Sequence, residues 1–143
     1  MMPTTRSLKS WLWRFGPAAV VMALIFFASA QPRGVLPDYG ANDWGVKKAA
    51  HVLVYAVLAV AYLHALAAGR RPTWRQATTA VVLAGLYGAT DEFHQAFVAG
   101  RGAGPVDVAI DTLGAALGVA LGGWVYRRFT RTPTPPAPLP SIR

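Results

Sequence analysis

The sequence predicts an all-α integral membrane protein: a four-transmembrane-helix bundle with both termini cytoplasmic. Three observations predict it. First, 54% of the 143 residues are hydrophobic and only 14% are charged, against about 25% charged in an ordinary soluble domain. Second, apolar stretches recur from Phe15 to Ala30, Ala49 to Gly69, Ala77 to Thr90 and Thr112 to Tyr126. A spanning helix needs roughly 20 mostly apolar residues. The third and fourth stretches reach that length only by taking in the polar segments 91–95 and 107–111. Third, charge alternates between the connecting segments. Arg6, Lys9 and Arg14 precede the first stretch, and Arg70, Arg71 and Arg75 separate the second from the third. Arg127, Arg128, Arg131 and Arg143 follow the fourth. These ten cations share one side of a four-span chain. Arg33, Lys47, Lys48 and Arg101 share the other with all six acids, giving +10 and −2 for a net +8.

Cation-rich short loops stay cytoplasmic, so the basicity reports orientation. It does not report a nucleic-acid partner, which needs a basic stripe on a suitable fold. Cysteine is absent, which excludes disulfide and thiolate chemistry.

Each element follows from local signals. Residues 1–10 are a basic cytoplasmic lead-in. The first helix, about 11–30, carries Trp11 and Trp13 as interfacial anchors. Its basic start, apolar middle and Ala28-Ser29-Ala30 also match a cleavable signal peptide. Cleavage would leave three spans and the same orientation for the second. The outer segment from Gln31 to Val46 contains Pro32, Gly34, Pro37, Gly40 and Gly45 and reads as irregular. The second helix covers about 47–69. A short basic inner turn with Trp74 leads to the third, about 76–98. The tight outer turn "AGRGAGP" then leads to the fourth, about 105–127. The membrane domain therefore runs 11–128. The tail 129–143, "TRTPTPPAPLPSIR" from Thr130, reads as disordered and cytoplasmic.

The third helix poses the functional question, because "GATDEFHQAFVAGRG" sets Asp91, Glu92, His94 and Gln95 at one end of an apolar helix. Val82, Leu86, Ala89, Phe93 and Phe97 recur at steps of three and four, a lipid-facing stripe. Tyr87, Asp91, His94 and Gln95 take the other side, with Glu92 at its flank. Phe93 lies about 200° around the helix from Asp91, at roughly 100° per residue. In the second helix Lys47 or Lys48, His51, Tyr55 and Tyr62 share a face. In the fourth, Asp107, Asp111, Gly114, Gly118 and Gly122 do so, and glycines at spacing four permit close helix approach. The predicted topology brings Lys47, Lys48, His51, Asp91, Glu92, His94, Arg101, Asp107 and Asp111 together in the outer half of the membrane.

Charge within a membrane is costly. Mutual neutralisation that locks the helices is one reading, with Asp91 paired to Lys48 or Arg101; a polar pocket that serves a function is the other. For a metal, the ligand candidates are His51, His94 and Asp107, but no His-Glu-x-x-His spacing is present, and neither a metal nor a cofactor is expected. Ser29 is the one serine near the outer face, within the predicted reach of His51 or His94 in a triad-like arrangement. Acid–base catalysis would fall to Glu92 or Asp91 with His51. His64, towards the cytoplasmic end, reads as an interface residue.

Together, "ALIFFASAQP", "KKAAHVLVYAVL" and "GLYGATDEFHQAFVAGRGAGPVDVAIDTLGAALG" resemble the VanZ-like family over nearly all of residues 23–122. The family's recurring polar positions match here as Ser29, Gln31, Lys48, His51, Tyr55, Asp91, Glu92, Gln95, Arg101, Asp107 and Gly114. There are departures. Lys47 stands where members often have Asp, leaving Asp43 to substitute. Asp111 stands where Asn is frequent, and Gly104-Pro105 replaces a commonly polar pair. The resemblance implies an envelope-facing role; the family takes its name from a protein linked to low-level teicoplanin resistance.

The resulting expectation is a multi-pass protein of the plasma membrane with an outward-facing polar site. It would bind a polar-headed amphiphile: a lipid-linked cell-wall precursor, a phospholipid headgroup or a lipoglycopeptide. The ligand-binding candidates are Lys48, His51, Tyr55, Asp91, Glu92, Gln95, Arg101, Asp107 and Asp111. Lys48, Arg101 and His51 would meet anionic groups, oriented by Asp91, Glu92 and Asp107. An intramembrane acid–base enzyme acting on a lipid headgroup is the alternative. A small dimeric transporter ranks last, since the first stretch lacks ionisable residues and the cluster lies off the midplane.

Overall fold

The computed structural model describes residues 8–129, and the basic lead-in before Leu8 and the Pro-rich tail beyond Phe129 lie outside the described residues. The described chain is all-helical, without strands. Its four α-helices are α1 (Leu8–Ser29), α2 (Asp43–Ala67), α3 (Trp74–Gln95) and α4 (Pro105–Phe129), and two short 3-10 turns, Arg33–Val35 and Gly40–Asn42, lie between α1 and α2.

The helix ends follow from local chemistry. After α2, Ala68 and Gly69 adopt positive φ values of 51° and 78°, a left-handed exit from the helix. Thr73 then opens α3 through a capping box, its hydroxyl accepting from the Gln76 amide while the Gln76 side chain accepts from the Thr73 amide. Gln76 Nε2 also donates to the Leu66 carbonyl at 2.9 Å, tying α3 to the end of α2. Pro105 opens α4 at a position where its missing N–H costs nothing, and Asp107 sits in the first turn beside the positive end of the helix dipole.

The helices run up and down in sequence order. At one end Arg14 donates to the Ala65 carbonyl at 2.8 Å, and Tyr126 reaches the Gly69 carbonyl. At the other, Arg101 donates to the Ala28 carbonyl at 2.7 Å. The α2–α4 packing is the closest. A Cβ placed on Gly114 would lie 2.5 Å from the Val52 carbonyl oxygen, and one on Gly118 would strike the Ala56 backbone. The glycines at spacing four thus admit α2 to backbone contact. Ile25, Tyr55, Leu58, Ala59, Leu63, Ala80, Ala84, Ala115 and Val119 fill the core, while α1 leans mainly on α2 and lightly on α3.

The outside of the bundle is apolar. Phe27, Leu53, Val82, Leu86, Phe93, Phe97, Leu113 and Leu121 are all exposed, an apolar sheath far larger than a water-facing monomer carries. Trp11, Trp13, Trp74 and Trp124 are exposed near one end, Tyr39 and Trp44 at the other, as in the aromatic belts of membrane proteins. By length and composition three helices qualify as membrane spans: Leu8–Ser29, the segment Gly40–Ala67, and Pro105–Tyr126. The expectation was four. α3 falls short because its last turns carry Asp91, Glu92, His94 and Gln95. It sits within the bundle by burying Asp91, Glu92 and Gln95 against its neighbours, with Phe93 and Phe97 turned outward.

Candidate functional site

The polar residues of α2, α3 and α4 meet at the end of the bundle where the 31–42 segment and the 99–104 turn lie. Asp91 and Glu92 are each 5% exposed, Gln95 3% and Asp111 0%. Such burial is tolerable only when the polar atoms find partners.

Asp91 finds neutral ones. Ser29 donates its hydroxyl to Oδ1, Gln95 Nε2 donates to Oδ2 at 2.8 Å, and the Tyr55 hydroxyl lies 3.4 Å from the same oxygen. The expected ion pair of Asp91 with Lys48 or Arg101 is therefore not what forms. Nor is Ser29 held by a histidine: its hydroxyl lies within hydrogen-bond distance of the Asp91 carboxylate and of the Ile25 and Phe26 carbonyls. This is a helix-to-helix tie rather than a nucleophile–base pair.

Lys48 instead pairs with Asp107, joining α2 to α4. His51 Nδ1 lies 2.9 Å from Asp111 Oδ1, a second tie between the same helices. Asp43 does not take over as the partner of Lys48. It bonds Lys47 one helical turn on, at 2.7 Å, with Arg33 at 3.8 Å. Glu92 accepts from the Gly104 amide at 3.0 Å, so backbone supplies a hydrogen bond where the polar pair is missing. Arg101 donates to the Ala28 and Gln31 carbonyls, satisfying the free end of α1.

His94 stands apart. Its ring packs against Phe26 at 4.7 Å between centroids, on the α1 side of α3. The histidine and carboxylate atoms that gather within 4.8 Å of one another belong to His51, Glu92 and Asp111. The trio of His51, His94 and Asp107 weighed as metal ligands is thus not assembled. The reason is rotational: His94 lies two positions, about 200°, around α3 from Glu92, the residue that faces His51 and Asp111.

Two cavities adjoin this cluster. The outer one, about 540 Å³, is lined by polar and charged groups including Arg33, Lys47, Lys48, Glu92, Arg101 and Asp107, with Trp44 at its wall. The second, about 480 Å³, reaches down between α1, α2 and α3 against Leu24, Ile25, Ala28 and Val54, with Ser29, Tyr55 and Asp91 along it. Leu36, Lys47, His51, Gln95 and Arg101 line both. Both volumes fall in the range of small-molecule sites, roughly 300 to 1,000 Å³. Asp111 lines neither and lies behind His51. Arg33 and Trp44 join the site without having been singled out in the sequence. Their segment shows no periodicity, and the proximity of Arg33 to Asp43 and of its backbone N–H to the Ala99 carbonyl at 3.3 Å is a product of tertiary folding.

No curated protein and no solved structure gives a match to the chain. The family model described as VanZ/LLP1 matches residues 15–126, which takes in α2 and α3 entirely, most of α1 and α4, and every residue of both cavities. The chain belongs to the VanZ/LLP1 family.

Proposed function

We propose that the protein binds an amphiphile with a polar, anionic headgroup at the outer surface of the plasma membrane, with α3 as a fourth span and both termini cytoplasmic. The observation that carries this reading is the pair of adjoining cavities with a common wall. One is polar and rimmed by Arg33, Lys47, Lys48 and Arg101; the other is largely apolar and directed along the helices. A headgroup fits the first and an acyl or polyprenyl chain the second. Lipid-linked cell-wall precursors, phospholipids and lipoglycopeptides share that chemistry. The positive rim favours phosphate or carboxylate, and the acids Asp43, Glu92 and Asp107 offer acceptors for sugar or amide donors. The charge asymmetry of the connecting segments supports the outward orientation.

A second reading, an intramembrane acid–base enzyme acting on such a headgroup, is favoured by one feature. His51 is oriented by Asp111 at 2.9 Å while its ring borders both cavities, the arrangement of a held general base.

One experiment addresses both readings. The full chain is purified in mild detergent beside Arg101→Ala, and co-purifying lipids are identified by mass spectrometry. A polar-headed lipid enriched in the wild type and depleted at least about tenfold in the variant, a loss of some 1.4 kcal/mol, is the expected result. Indistinguishable lipid profiles from two folded proteins would sink the binding reading. A headgroup-modified product accumulating only with wild type would move the assignment to catalysis.

A further inference from the structure

Behind His51, away from the cavity rim, one carboxylate oxygen has no partner. Asp111 is fully buried; its Oδ1 meets His51, and its Oδ2 is without a hydrogen-bond donor among the described residues. Buried carboxylate oxygens are rarely left so. Glu92, also buried, comes from α3 into the same place, and one ligand atom each of His51, Glu92 and Asp111 lie within 4.8 Å of one another. Among the described residues no lysine or arginine pairs with Glu92 or Asp111: Lys48 is taken by Asp107 and Lys47 by Asp43. Arg101 donates to the Ala28 and Gln31 carbonyls. Two carboxylates, each 5% exposed or less, therefore face one imidazole, and two ionised carboxylates so deeply buried would repel strongly.

From this juxtaposition we infer that His51, Glu92 and Asp111 form a binding site for a divalent first-row metal ion, Mn²⁺ or Zn²⁺. The donor set is one nitrogen and two hard oxygens, which suits these ions better than a soft metal. A cation there would offset carboxylate charge, and if Asp111 binds it through both oxygens Oδ2 also gains a partner. Donors bound at about 2.1 Å to one ion at tetrahedral angles lie about 3.4 Å apart, so the widest separation in the cluster, up to 4.8 Å, closes by at most about 1.4 Å. The 2.9 Å separation of His51 from Asp111 is already within that distance. Three protein ligands leave a position open, and His51 and Glu92 both line the polar cavity. An ion held here therefore has at least one coordination site for whatever occupies that cavity. The inference does not rest on an amphiphile being the occupant, since it follows from the protein ligands alone.

The test uses the full chain in detergent, stripped with a chelator and dialysed against Mn²⁺ or Zn²⁺ without added lipid. Bound metal is measured by elemental analysis, and Mn²⁺ binding also by loss of the free-ion electron paramagnetic resonance signal. One ion per chain is expected in the wild type and in His64→Ala, whose exposed side chain lies near the opposite end of α2. Affinity should fall at least about tenfold in His51→Ala and Glu92→Gln. Glu92→Gln is nearly isosteric and keeps an oxygen for the Gly104 amide, so it reads metal loss where Asp111→Asn fails to fold. Wild-type uptake no greater than that of His51→Ala overturns the inference, and so does retention of full affinity by Glu92→Gln.

Discussion

A carboxylate buried as deeply as Asp91 persists because three neutral donors, Ser29, Gln95 and Tyr55, converge on it from three helices. Replacement by Asn keeps the shape but turns one oxygen into an NH₂ that faces a donor. Asp91→Asn should therefore lower stability by about 1–3 kcal/mol, measured as a shift of the thermal unfolding midpoint in detergent. Ser29→Ala should lie at the low end of that range, since it removes one donor and leaves Gln95 and Tyr55 in place. An unchanged midpoint in Asp91→Asn would mean that these three donors do not hold the side chain. The burial of Asp91 was legible from its place opposite Phe93 and Phe97. Its partners were not, because complementary charge in a sequence points to lysines and arginines, whereas the donors here are an amide, a phenol and a hydroxyl. Ser29 lies 62 residues away along the chain.

At the scale of the helix, the stripe Gly114, Gly118, Gly122 sets how near α4 comes to α2. The same substitution should have opposite effects at two glycines. Gly114→Ala drives a methyl to within 2.5 Å of the Val52 carbonyl, a backbone atom that cannot rotate away. It should destabilise by roughly 1–3 kcal/mol and separate the two helices carrying Lys48, His51, Asp107 and Asp111, loosening both inter-helix ties. Gly45→Ala, in the first turn of α2 with nothing within 4 Å of the new methyl, should raise stability by up to about 1 kcal/mol through the lower backbone entropy of alanine. Unfolding midpoints of the two variants check the pair, and equal effects would show that the α2–α4 contact is not the tight one. The glycine periodicity was visible in the sequence, as was the outward stripe of α3. Its weakness as a membrane span was equally visible, in that its apolar run reaches spanning length only by including polar residues.

For the molecule as a whole, the distribution of charge and the closed polar end make one statement about orientation. The 99–104 turn, which contributes Arg101 and the Gly104 amide, lies at the same end as Lys48, Asp107 and the outer cavity. Gly102 is exposed, and a side chain there meets nothing within 4 Å. In this cysteine-free chain, Gly102→Cys provides a single label site that leaves the fold undisturbed. An impermeant maleimide added to intact cells should react with it, placing the cavity outside. Protection until the membrane is permeabilised would reverse the topology and turn the polar cavity towards the cytoplasm, removing lipid-linked precursors displayed outside from the ligands it can meet.

The helical character of the described chain, the apolar stretches that form its helices, the outward apolar stripe of Val82, Leu86, Phe93 and Phe97 and the polar character of the α3 end were determined by sequence alone. These follow from composition and from a 3.6-residue period, which are local properties of the chain. Which polar group meets which was decided only by tertiary structure. Lys48 takes Asp107, not Asp91; Asp43 takes Lys47; His94 turns to Phe26; His51 joins Glu92 and Asp111. Those choices depend on the rotation of each helix about its own axis and on its depth relative to its neighbours. A rotation of one residue, about 100°, exchanges one partner for another while leaving every sequence pattern unchanged.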